Sequence, residues 1–168
     1  MDTWAVRVLR VIIAFALAGS VVVQCVLVPL VWIDLDGEPL SLRVPFVTIL
    51  VLGVATLQVT GVCIWRLLTM VRRGTVFSHA AFRYVDVVIG ATATASVLTF
   101  GMAVMGRFAN HAVPGDEVAP GLIALICGAA LVIAGVAVLV LVLRALLSQA
   151  VALDRTAKHL RSELDEVI

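Results

Sequence analysis

The sequence predicts an all-α integral membrane protein: a bundle of four antiparallel transmembrane helices followed by a cytoplasmic C-terminal helix. Three observations predict it. Of 168 residues, 62% are apolar and 14% charged, whereas a soluble domain carries roughly 45–50% apolar residues (glycine included) and about 25% charged. Four stretches lack Asp, Glu, Lys and Arg for long enough to cross about 30 Å of hydrocarbon, which takes roughly 20 helical residues. The basic residues, finally, are sorted to alternate connections. A core of this size cannot hide such an apolar surplus, which excludes an ordinary soluble enzyme and a disordered chain. The net charge of +1 excludes a nucleic-acid-binding domain, because phosphate contacts need a basic surplus.

The four spans take up residues 11–33, 44–65, 87–106 and 118–143, and the whole chain reads as one domain, 1–168. Charge closes each: Arg10 and Asp34, Arg43 and Arg66, Asp86 and Arg107, Glu117 and Arg144. Transmembrane strands would need about 10 alternating residues per crossing. These runs are continuous and twice as long, so they read as helices, which satisfy their own backbone in lipid. Arg7, Arg10 and the following Ala16-Leu17-Ala18 resemble a secretory signal. The apolar run continues for fifteen residues past Ala18, however, whereas a cleavable core is about 7–15 residues in all. The first span is therefore expected to stay as an anchor. Pro29 marks a kink near its outer end.

Orientation follows from the arginines. The N-terminal tail, the second connection and the C-terminal tail together hold ten of the twelve basic residues. Arg43 and Arg107, in the first and third connections, stand beside Asp34, Asp36, Glu38, Asp116 and Glu117. The positive-inside rule then puts both termini in the cytoplasm. The outer connections, at about ten residues, are too short for a binding domain of their own.

The second connection is the most distinctive local sequence. Arg72-Arg73-Gly74-Thr75-Val76-Phe77-Ser78 ends one helix and starts the next. Gly74 supplies the turn, Ser78 the N-cap, and Phe77 a hydrophobic staple. Arg72, Arg73 and Arg83 can meet anionic lipid, each at about 1 kcal/mol, or form a docking surface for a cytoplasmic protein. Asp86 at the mouth of the third span reads as a local partner of Arg83 or of the helix N-terminus.

Gly74, Phe77, Ser78 and Arg83, set between the second and third of four spans, resemble the bacterial family of small membrane proteins catalogued as domain of unknown function 2975. That family's elbow reads approximately Gly-x-Pro-Phe-(Ser/Thr), followed by an asparagine and a Leu-Arg-type pair. Here Val76 replaces the proline, Ala81 the asparagine, and Asp86 falls where the family tends to be basic. The resemblance implies a small bacterial membrane protein; that it is not an enzyme, and sits in the inner membrane, is expected from the residues themselves. The resemblance also implies a partner, since members are often encoded beside a small helix-turn-helix regulator.

Beyond the fourth span, 144–168 is expected to form a cytoplasmic helix. Leu146, Ala150, Leu153, Ala157, Leu160, Leu164 and Val167 recur at alternating steps of four and three, a heptad seam. Asp154 with Lys158, and Arg161 with Asp165, add i,i+4 pairs. Such a helix can lie on the leaflet, fold back on the bundle, bind a cytoplasmic partner, or form a homo-oligomer.

Within the bilayer, Gly90 to Ser96 are all small, and Thr92, Ser96 and Thr99 share one face. Gln24 and Gln58 are the only side-chain amides in the spans. Counted from the span centres, Gln58 lies near the depth of Thr92 and Thr94, and Gln24 near that of Thr99. Ala124, Gly128 and Gly135 add a small-residue stripe on the fourth span. Helix packing through interhelical hydrogen bonds is the expected use; a polar path in a small transporter or channel subunit is the alternative. No ionisable group sits at mid-membrane, where coupled carriers keep one. Cys25, Cys63 and Cys127 lie in different spans, and His79, His111 and His159 in three different connections. No metal, cofactor or catalytic set is expected from them.

Overall fold

The computed structural model describes residues 3–37, 39–72, 79–112 and 118–167, and among these every regular element is helical. The first span is built from α1 (Thr3–Val22), a π turn (Val23–Leu27) and α2 (Val28–Asp34), ending in a 3-10 turn, Leu35–Gly37. Pro29 explains the break: it has no N–H, and its ring clashes with the carbonyl four residues back, that of Cys25. The widened turn answers this, with the Val28 N–H bonded to the Val23 carbonyl. Helix α3 (Leu40–Arg72) follows, its first turn closed on the Pro39 carbonyl by the N–H groups of Leu42 and Arg43 at 2.9 and 3.2 Å. Helices α4 (His79–Ala112) and α5 (Pro120–Val167) complete the chain. Pro120 opens α5 at a position where its missing N–H costs nothing.

Four segments are long and apolar enough to cross a membrane: Val6–Gly37, Leu40–Met70, Ala81–Asn110 and Pro120–Leu153. Burial runs opposite to that of a soluble protein. Side chains such as Phe15, Val97, Leu125 and Leu131 are exposed, while the buried apolar positions are mostly small, among them Ala81, Ala103, Ala130 and Ala137. Small side chains let helix backbones approach closely where lipid removes any hydrophobic reward for association. Helix α4 is central, packing broadly against α3 on one side and α5 on the other. Helix α1 rests more lightly on α3, and no comparable packing joins α1 to α5 among the described residues.

Each end of the bundle is pinned by polar groups. Arg43, 7% exposed, reaches back across the first connection. Its Nη1 lies 2.6 Å from Asp36 Oδ1, its Nη2 donates to the Trp32 carbonyl, and the guanidinium sits 4.0 Å from the Trp32 ring centroid. Asn110 closes the third connection, donating to the Val118 carbonyl at 2.8 Å and accepting from its N–H at 2.7 Å. At the opposite end, Arg10 donates to Thr69 Oγ1 at 3.1 Å and lies 5.7 Å from the Trp65 ring.

Candidate functional site

Of the connection between α3 and α4, Arg73, Gly74, Phe77 and Ser78 lie outside the described residues, as does the side chain of Arg72. What is described is its surroundings. Arg72 ends α3, His79 opens α4, and Arg83 on the second turn of α4 is exposed. One turn further, Asp86 does not pair with Arg83 but with Arg144 of α5. Arg144 Nη2 donates to Asp86 Oδ2 at 2.7 Å, and Nε lies 2.5 Å from Oδ1 within the same ion pair. The sequence signal was present, since Asp86 and Arg144 border two of the charge-free stretches on the same predicted side. A local partner was simply nearer in sequence.

The pair anchors α5 where its charge-free stretch ends. Beyond it α5 continues without a break to Val167, as one helix of 48 residues, about 72 Å long at 1.5 Å per residue. Leu146, Ala150, Leu153 and Ala157 of the heptad seam are all exposed, Leu153 at 71%. The extension through these positions therefore does not fold back on the bundle. The side chains of Leu160 and Leu164, like that of His159, lie outside the described residues.

The intramembrane polar residues are brought together only in part. Gln58 Nε2 donates to Gln24 Oε1 at 2.9 Å, and Gln24 Nε2 donates to the Val51 carbonyl at 3.3 Å. The two amides thus meet each other across the first span and α3. Gln24 belongs to the π turn. Thr92, Thr94 and Thr99 spend their hydroxyls on carbonyls of their own helix, at Val88, Gly90 and Ala95. Ser96 alone reaches across, donating to the Ala130 carbonyl of α5 at 2.8 Å. The small-residue stripe differs from expectation as well. Nothing lies within 4 Å of a Cβ built at Gly128 or Gly135, and the residues buried against α4 are Ala130 and Ala137, one face around.

One void follows from this packing. A cavity of about 320 Å³ opens where α3, α4 and α5 converge toward the Asn110 end, lined by Leu42, Phe46, Met102, Met105, Leu122 and Ile126 among others. None of the polar residues above lines it. Among the described residues, no group of three or more His, Cys, Asp or Glu side chains is placed to hold a metal. Cys25 is exposed, Cys63 buried and Cys127 half-buried, all three as free thiols.

No curated protein and no solved structure matches the chain. A family model does, over residues 34–168, from the end of α2 through the whole of α5. Most of the chain is covered, including the elbow and the extension, with the first span outside the match. The chain therefore belongs to the family described as protein of unknown function (DUF2975).

Proposed function

We propose that this chain is a non-enzymatic multi-pass protein of the bacterial inner membrane that tethers a cytoplasmic partner, a small helix-turn-helix regulator, at its elbow and C-terminal helix. One observation carries the reading. Helix α5 does not stop where its apolar stretch ends at Leu153 but runs on for about 21 Å at helical rise, with its seam uncovered. A helix that only crosses a bilayer gains nothing from an ordered extension of this length, because ordering exposed chain costs conformational entropy.

Three contacts support an antiparallel arrangement. Asp86, Ser96 and Gly106 of α4 meet Arg144, Ala130 and Ile123 of α5, so the register descends on one helix as it climbs on the other. The elbow and the extension then lie at one end, the end carrying most of the arginines, and the positive-inside rule makes that end cytoplasmic. The arginines also serve as contacts to anionic lipid.

Co-purification tests the reading. The full chain, and a chain ending at Leu153 so that the Asp86–Arg144 pair is kept, are solubilised after co-expression with a small helix-turn-helix regulator of the same genome. The full chain is expected to retain the regulator and the shortened one to lose it. Equal retention by both would overturn the assignment.

A further inference from the structure

Among the described side chains three arginines are withdrawn from the surface: Arg10, Arg43 and Arg144. Each leaves its Nε buried without a hydrogen bond. Arg43 and Arg144 are balanced by a carboxylate, Asp36 and Asp86 respectively. Arg10 is not. Its Nη2 donates to Thr69 Oγ1 at 3.1 Å, and its guanidinium lies 5.7 Å from the Trp65 ring centroid. Both neighbours are neutral, and the Thr69 hydroxyl already donates to the Trp65 carbonyl at 3.0 Å. The helices around it offer no acid, since residues 3–33 and 39–85 contain neither Asp nor Glu.

Two more arginines add to the imbalance. Arg7 lies three residues before Arg10 on α1, and Arg66 three before Thr69 on α3; both are exposed. The two helices run in opposite directions, because Arg10 meets Thr69, Leu17 lies against Gly61, and Gln24 meets Gln58. A step of three residues falls about 60° short of a full turn. Between opposed helices that offset carries Arg7 and Arg66 to the same side of the seam. Three positive charges thus stand along one edge of the α1–α3 contact, with no carboxylate beside them among the described residues.

We propose that this edge binds the phosphate of an anionic phospholipid, held by Arg10 at the seam and flanked by Arg7 and Arg66. A charge drawn in among apolar helices is costly unless an opposite charge meets it, and a guanidinium matches phosphate oxygens in number and geometry. Lipid is the source because Arg10 and Arg66 each border a charge-free stretch, at the headgroup level where an interfacial tryptophan such as Trp65 also belongs. The lipid is anionic because three unbalanced guanidinium groups repel the ammonium of a zwitterion. The positive-inside rule accounts for the number of arginines at this end, but not for one turned into a helix seam without a counter-charge. The site sharpens the general lipid contact of that end, and it rests on neither the regulator nor the direction of crossing.

Quenching of tryptophan by brominated lipid tests it in the full chain with Trp65 as the sole tryptophan (Trp4→Phe, Trp32→Phe). The vesicles are phosphatidylcholine with phosphatidylglycerol, and bromine on one lipid or the other reports which sits beside Trp65. Phosphatidylglycerol is expected to be preferred, and Arg7→Gln, Arg10→Gln and Arg66→Gln each to lower the preference by about fivefold. Arg7 and Arg66 are exposed, so their variants decide the matter even where Arg10→Gln does not fold. Arg83→Gln removes the same charge from an exposed position on α4 and is expected to change the preference less than about twofold. Absence of a preference, a preference untouched by the Arg7 and Arg66 variants, or an equal loss with Arg83→Gln would overturn the site. Inorganic phosphate, set against chloride at equal ionic strength, is expected to leave the preference intact. Its loss in phosphate alone would give the site to a free phosphate and overturn the lipid assignment.

Discussion

Replacing Gln58 by leucine removes one hydrogen bond between the first span and α3, and the structure sets what that costs. Its Nε2 is the donor to Gln24 Oε1 at 2.9 Å, while Gln24 keeps its longer bond to the Val51 carbonyl. Interhelical hydrogen bonds in membranes are worth about 0.6 kcal/mol on average and up to about 2. The Gln58→Leu change also strands the Gln24 carbonyl oxygen away from water, so a cost near 1 kcal/mol is expected. Gln24→Leu removes both bonds and strands the Gln58 amide, for about 1.5 kcal/mol by the same scale. The double variant strands neither amide, because both partners have become apolar, and such paired replacements are often nearly neutral. Its cost should therefore fall below the sum of the singles by about 1 kcal/mol, a coupling that only groups in contact produce. Reversible unfolding in mixed micelles, followed by fluorescence of the three tryptophans, measures all four chains. Strict additivity would refute the pairing of the amides.

Predictions at three further positions use the same assay. Ala103, 2% exposed between packed helices, should not accept Ala103→Leu without a loss of about 1–3 kcal/mol from overpacking. Val97→Ala, at a side chain 69% exposed, should change stability by less than about 0.5 kcal/mol. Arg43→Met should cost about 1–2 kcal/mol, a moderate figure because Asp36, 70% exposed at its side chain, returns to water when the pair is broken. Arg43→Lys should recover only part of the loss, since an ammonium can neither stack flat on Trp32 nor form a fork. Equal stability of Arg43→Met and the natural chain would show that the first connection is not held by this corner.

The sequence announced the four spans because charge marks a bilayer boundary sharply: Arg10, Arg43, Asp86 and Arg144 each border a charge-free stretch. Its reading of the elbow at Gly74, Phe77 and Ser78 lies outside the described residues. It was silent on how the helices are rotated about their axes. Depth can be counted at 1.5 Å per residue, so Gln24 and Gln58 were placed along their helices. Which way each amide points depends on packing, and here a π turn at Val23–Leu27 alters the rotation of everything before Pro29. The small-residue stripe shows the same limit. Ala124, Gly128 and Gly135 form as good a stripe on paper as Ala130 and Ala137, and only the fit of α4 selects between them. The Asp86–Arg144 pair was legible as two boundary charges of opposite sign, but joining them takes the register of α4 against α5.

The claim on which the tethering role depends is that the extension of α5 faces the cytoplasm. A membrane-impermeant maleimide, applied to a chain whose single cysteine is introduced as Leu153→Cys, tests it directly. The account predicts no labelling in intact spheroplasts and full labelling in inverted vesicles, because the site is 71% exposed and the arginine-rich end lies inside. Labelling from the outside of spheroplasts would contradict it, and no cytoplasmic regulator could then reach the helix.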